Sequence, residues 1–168
     1  QDVADGVPAP RVSALTPVSQ RLLTHLGAWP AMEAARVTPY RYMEVWDAEG
    51  SGRIRFSADE AGTATLGHIV ENEVTLAALN EQVAKQPTLT RLDGVRVEAL
   101  QTTARGRWLV LDDGRQLQTP LLVAADGARS ALRALAGIPV AEESMAQEAV
   151  VTTVRCTHPH GGTARQAF

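Results

Sequence analysis

The chain has 168 residues, a formal net charge of -3, 45% hydrophobic and 21% charged residues; that is length enough to bury a core, and no apolar run is long enough for a membrane span. The slight acidity and the singly scattered arginines argue against a nucleic-acid partner. Cys156 is the only cysteine, which excludes an intrachain disulfide and any cysteine-based zinc or iron–sulfur site and fits a reducing compartment.

The opening "QDVADGVPAP" has neither the basic nor the apolar region of a secretory leader and reads as a loop. "TPVSQRLLTHLG" predicts a helix: Thr16 caps, Pro17 suits the first turn, Val18, Leu22, Leu23 and Leu26 form an apolar face, and Gly27 closes it. A short helix follows around "WPAMEAAR", and "PYRYMEVWDAEGSGRIRFSA" predicts two strands joined by a glycine-containing turn. "TLGHIV" predicts a strand that runs into a helix over "ENEVTLAALNEQVAKQ", with Val74, Leu76, Leu79 and Val83 as its stripe and Pro87 as its end. From Thr88 the period becomes alternating. "LTRLDGVRVEALQTT" and "RGRWLVLDDGRQLQTP" read as a β-meander with a hairpin at Asp113-Gly114. "LLVAA" (121–125) is apolar at every position, as a strand covered on both faces by helices would be. A helix beginning near Ser130 and closed by Gly137 follows, then a strand over "QEAVVTTVRC" and a loop at "THPHGG".

The corner after "LLVAA" carries the chemistry. A carboxylate at the carboxyl end of such a strand can accept hydrogen bonds from ribose or ribityl hydroxyls. Gly127 would let a ligand approach the backbone, and the helix start offers free N–H groups. The alternative reading is structural: Asp126 caps the helix and Gly127 makes the turn.

"AADGARSALR" resembles the Asp-Gly motif of the single-component flavin hydroxylases, the family of p-hydroxybenzoate hydroxylase, with Asp126, Gly127, Ser130 and Arg133 in the motif positions. "RVSALTPVSQRLLTHLGAW", "MEVWDAEGSGRI" and "LGHIVEN" resemble the branch that hydroxylates the ubiquinone ring, most of all the 2-octaprenylphenol hydroxylases, and the matches run in the family's order. The resemblance implies an α/β fold with α+β elements, in which portions of a Rossmann-like FAD/NAD(P)-binding domain (1–36 and 60–140, meander included) interleave with a β-sheet substrate domain (37–59 and 141–168). No Gly-x-Gly-x-x-Gly fingerprint and no later Gly-Asp motif is present, so the chain reads as an internal segment of a longer protein that alone holds FAD weakly or not at all.

The resemblance also implies site residues. Asp126 would touch the FAD ribityl region and help organise the pyrophosphate of NAD(P)H, with Gly127 giving backbone access. Arg133 would support the loop or the pyrophosphate site. Arg11 would lie against the FAD phosphates or adenosine side, its alternative being a solvated loop arginine. Asn72 would contact the ribityl or phosphate part, its alternative being a helix cap without ligand. The implied activity is an FAD-dependent, NAD(P)H-using monooxygenase acting with dioxygen on a polyprenylphenol, in company with other ubiquinone-synthesis proteins. The implied location is cytoplasmic, with room for peripheral contact at the inner face of a bacterial membrane, although no amphipathic basic helix is visible to mediate it. A noncatalytic scaffold of the same fold and a flavin hydroxylase for another aromatic are the alternatives. His68 reads as a hydrogen-bonded core residue, His158 and His160 as no metal site, and Trp29, Trp46 and Trp108 as core or interface packing. No catalytic side chain and no metal ligand is assigned.

Overall fold

A computed structural model describes residues 8–104 and 106–168. The first seven residues of the predicted opening loop lie outside the described residues. The chain divides into two compact units, residues 1–89 with 149–168, and residues 90–148.

In the first unit, β1 (Val12–Leu15) and β2 (Thr38–Tyr40) pair antiparallel with the two edges of β5 (Gly67–Glu71). Helices α1 (Pro17–His25), α2 (Trp29–Ala35) and α3 (Asn72–Ala84) accompany this sheet. Their meeting point is a core of Leu23, Ala28, Trp29, Met32, Val70, Val74 and Ala78. Central placement explains why β5 is almost wholly buried. It also explains Gly67, where a Cβ would come within 2.6 Å of the Leu15 carbonyl oxygen.

α1 begins as its residues predict. The Thr16 hydroxyl accepts from Ser19 N–H at 3.2 Å, Pro17 opens the first turn, and Gly27 leaves the helix at φ +77. Of the predicted apolar face only Leu23 is buried, whereas Val18 is 64% and Leu22 58% exposed. Thr16→Ala is expected to cost about 1 kcal/mol, read as a lower melting temperature, with Thr16→Ser close to the parent; equal melting of all three would show that the cap is idle.

A second sheet of this unit has the order β4-β3-β9. β3 (Tyr42–Trp46) and β4 (Arg53–Ser57) form the predicted hairpin, and β9 (Thr163–Ala167) joins β3 in parallel. Alternation puts Tyr42, Glu44 and Trp46 on one face, with Arg55 and Arg165 opposite Glu44 and Arg53 opposite Trp46 in register. Arg55 stacks 4.6 Å from the centre of the Tyr42 ring.

The second unit holds the meander β6-β7-β8 (Val97–Thr103, Gly106–Leu111, Gln116–Thr119) and α4 (Ala131–Leu135). The Asp113-Gly114 turn joins β7 to β8 as predicted, with Gly114 at φ +83 and Asp113 accepting from Arg115 N–H at 3.0 Å.

Two predicted strands are corrected. Residues 121–125 have no strand pairing among the described residues, and Leu121 and Val123 are 74% and 71% exposed. Residues 147–156 are likewise unpaired, with Val150 93% exposed. An apolar run reports a wish to be covered; a strand also needs a neighbour for its N–H and C=O groups, and none is supplied here.

Candidate functional site

The sequence-predicted residues gather at two corners, one in each unit. In the first, the chain entering β1 is zipped onto the end of β5. Val12 stands opposite Glu71, Asn72 N–H donates to the Arg11 carbonyl at 3.1 Å, and the Ser13 hydroxyl donates to Asn72 Oδ1 at 2.6 Å. Arg11 and Asn72 are therefore neighbours. The Arg11 side chain is exposed and has no hydrogen bond or ion pair among the described residues.

The cap of α3 is Glu71, not Asn72, and no side chain accepts from the first turn of that helix. Glu71 turns inward instead. Its Oε2 accepts the Ala9 N–H at 2.6 Å, and its Oε1 lies 3.2 Å from Arg36 Nη1. No side chain caps this thirteen-residue helix, but its first N–H is taken by the Arg11 carbonyl and its first turn carries Glu73; what the corner offers an anion is the Arg11 guanidinium, the Asn72 amide and the remaining first-turn N–H groups.

The second corner is built by Asp126. One of its oxygens accepts the Ser130 hydroxyl at 2.5 Å and the other accepts Leu132 N–H at 3.1 Å. Ser130 Oγ in turn accepts Arg133 N–H at 2.9 Å, and Arg133 Nη2 donates to the Ala128 carbonyl at 2.8 Å. The structural reading of Asp126 thus describes what it does within the chain. It does not use the group up, because an ionised carboxylate has about four acceptor positions. The Ser130 hydroxyl first, and the Leu132 N–H second, hold the Asp126 carboxyl below the usual carboxylate range, so it stays charged at neutral pH. Gly127 lies at φ +85 with nothing within 4 Å of where a Cβ would stand, leaving its backbone open to a ligand. A cavity of about 400 Å³ adjoins this loop, lined by Gly127, Ser130 and Arg133 together with Arg107, Leu122 and Ala124.

Sequence reading missed Ser13, Glu71, Arg36 and Arg107. Only Glu71 left a trace, as an acid closing the otherwise apolar "GHIVE".

His68 is buried in β5 but is not the hydrogen-bonded residue expected: its Nδ1 has no partner, and its ring meets Trp29 edge to face at 5.1 Å. Burial pushes its pKa below the ordinary value, partly offset by Glu33. Trp29 is core, Trp46 carries Arg53 at 5.9 Å, and Trp108 is 38% exposed on β7. His160 Nδ1 accepts Gly162 N–H at 3.1 Å; among the described residues no cluster of potential metal ligands occurs.

Taken singly, the first corner offers phosphate-type donors, and the second offers a charged acceptor beside an open backbone. The chain belongs to the FAD binding domain family, whose sequence profile matches residues 2–162. The curated relatives it resembles include proteins named for ubiquinol hydroxylation and ubiquinone biosynthesis. It is 36% identical to 3-demethoxyubiquinol 3-hydroxylase of Escherichia coli, over 99% of this chain and 42% of that protein. It is 34% identical to the mitochondrial ubiquinone biosynthesis monooxygenase of Danio rerio, over 89% of this chain and 32% of that one. The chain therefore spans less than half the length of these curated relatives. The crystal structure of PqsL, a probable FAD-dependent monooxygenase from Pseudomonas aeruginosa, matches at TM-score 0.65 and 24% identity over 80% of this chain and 37% of its own. p-Nitrophenol 4-monooxygenase PnpA of Pseudomonas putida matches at TM-score 0.60 and 19% identity, over 80% and 35%. These two likenesses establish the p-hydroxybenzoate hydroxylase-like fold. No described helix is long and apolar enough to cross a membrane.

Proposed function

We propose that the chain is the flavin-holding part of an NAD(P)H-using monooxygenase that hydroxylates a prenylated phenol ring in ubiquinone biosynthesis. The observation that carries this reading is the pairing of Arg11 with the uncapped start of α3, zipped together by the Asn72–Arg11 and Ser13–Asn72 bonds. Arg11 and the remaining first-turn N–H groups would hold the FAD phosphates, and Asn72 would contact the ribityl or phosphate part. Asp126 would accept from ribityl hydroxyls with its remaining lone pairs and help organise the pyrophosphate of NAD(P)H, while Gly127 admits the ligand to the backbone. Arg133 acts on the loop, through Ala128. FAD, when bound, supplies the transfer of hydride from reduced nicotinamide and of one oxygen atom from dioxygen to the ring. The protein's share is binding, orientation and exclusion of water.

Of the domain division 37–59 with 141–168, the joining of residues 42–57 with 163–167 in the β4-β3-β9 sheet is in favour, whereas β2 of the same stretch pairs with β5 and residues 141–148 fall in the other unit; we read the β4-β3-β9 sheet as the substrate-facing layer. The ring position, and whether the substrate is the 2-octaprenylphenol type or one nearer to the Escherichia coli relative, belongs to product analysis with prenylated phenols. The cofactor reading is tested by titrating the complete protein with FAD and following flavin fluorescence. Arg11→Ala is expected to weaken FAD binding about tenfold, with riboflavin, which has no phosphate, bound as before. Unchanged FAD affinity would remove Arg11 from the site.

A further inference from the structure

The corner contains a charge that should oppose its own ligand. Glu71 immediately precedes Asn72, is only 5% exposed, and points a carboxylate into the unit beside the place where an anion would dock. Its Oε1 approaches Arg36 Nη1 at 3.2 Å, off the angle of a hydrogen bond, so the attraction is Coulombic. Its Oε2 holds the Ala9 N–H. The Arg36 backbone closes α2, its N–H donating to Met32 O at 2.9 Å.

We propose that Glu71 and Arg36 are positioning residues for the phosphate corner: Glu71 anchors the chain that presents Arg11, and Arg36 cancels the negative charge that this anchor would otherwise place beside the ligand. The inference rests on the reading of Arg11 and α3 as the FAD phosphate contact. An apolar side chain could fill the buried space of Glu71, but it would leave Arg36 without its counter-charge and the Ala9 N–H without its acceptor. That bond, with Asn72 N to Arg11 O and Ser13 Oγ to Asn72 Oδ1, fixes the segment from Ala9 to Ser13 at successive points. Arg11 sits within the fixed stretch. A neutral acceptor would have served the geometry alone. The carboxylate adds a charge to that acceptor, and Arg36, 3.2 Å away, screens this charge from the anion.

The test compares FAD with riboflavin, each titrated into the complete protein. Arg36→Met strands the Glu71 charge and is expected to weaken FAD about tenfold while leaving riboflavin nearly unchanged. Adding Glu71→Gln to that variant removes the stranded charge and keeps an acceptor for Ala9, so FAD affinity is expected to return to within about threefold of the parent. Glu71→Gln alone, which leaves Arg36 positive, should hold or strengthen FAD binding; this variant keeps the question open to measurement if Arg36→Met does not fold. Equal losses for FAD and riboflavin, no recovery in the double variant, or a loss of FAD in Glu71→Gln would each overturn the inference. Those outcomes differ from failure of the underlying reading, which is signalled by Arg11→Ala binding FAD as tightly as the parent.

Discussion

Asp126→Ala in the complete protein is expected to lower turnover with reduced nicotinamide on the order of a hundredfold and to loosen FAD, because one substitution removes both a ligand contact and the scaffold of its loop. The two contributions separate in Asp126→Asn. The amide oxygen can still accept from Ser130 or Leu132, so α4 should begin where it does now. The charge that would organise a pyrophosphate and its counter-groups is gone, so turnover should still fall about tenfold. Melting temperature, flavin affinity and single-turnover reduction distinguish loop from ligand. The sign of the pH dependence follows from the hydrogen bonds. Since Ser130 and Leu132 hold the Asp126 carboxyl below its usual range, its support of the loop is complete above about pH 4 and is lost as pH falls further through the folded value. No acid limb from Asp126 is expected between neutrality and pH 5. An alanine variant that keeps its flavin and its full turnover would sink the assignment.

What could be read from the residues alone was local. The start of α1 was legible because Thr16, Pro17 and Gly27 act within a turn of themselves. The Asp113-Gly114 hairpin was legible for the same reason. The two readings of Asp126 were both visible in "AADGARSALR"; the structure shows the capping one, which uses only part of the carboxylate. What escaped was pairing at a distance. The parallel union of β9 with β3 links segments at opposite ends of the chain, and no periodicity marks a partner. The same blindness works in reverse at 121–125, where the pattern promised a covered strand and the described residues supply no neighbour. Glu71 escaped because its partners, Ala9 and Arg36, come from segments that only the fold brings to the end of β5. A buried acid in an apolar strand is the signal that would have found it.

Trp29→Ala is expected to be the most damaging change to the first unit. Trp29 is 4% exposed at the centre of the core and covers His68 edge to face, and removing a buried tryptophan costs about 3–5 kcal/mol. The loss has a second component with a pH signature. In the parent, burial holds the His68 pKa below 6.5, so the unfolded chain binds a proton that the folded one refuses. The stability this contributes is fully present above about pH 6.5 and is lost as pH falls through the folded value. Stripping away the indole rehydrates the imidazole, raises its pKa toward the ordinary value and flattens that slope. Denaturant unfolding of parent and variant at mildly acidic and mildly alkaline pH measures both components, and the His68 ring proton resonance reports the titration directly. Parallel pH slopes in the two proteins would show that Trp29 packs the core without governing His68; a parent in which His68 titrates at its ordinary value would show that burial does not govern it either.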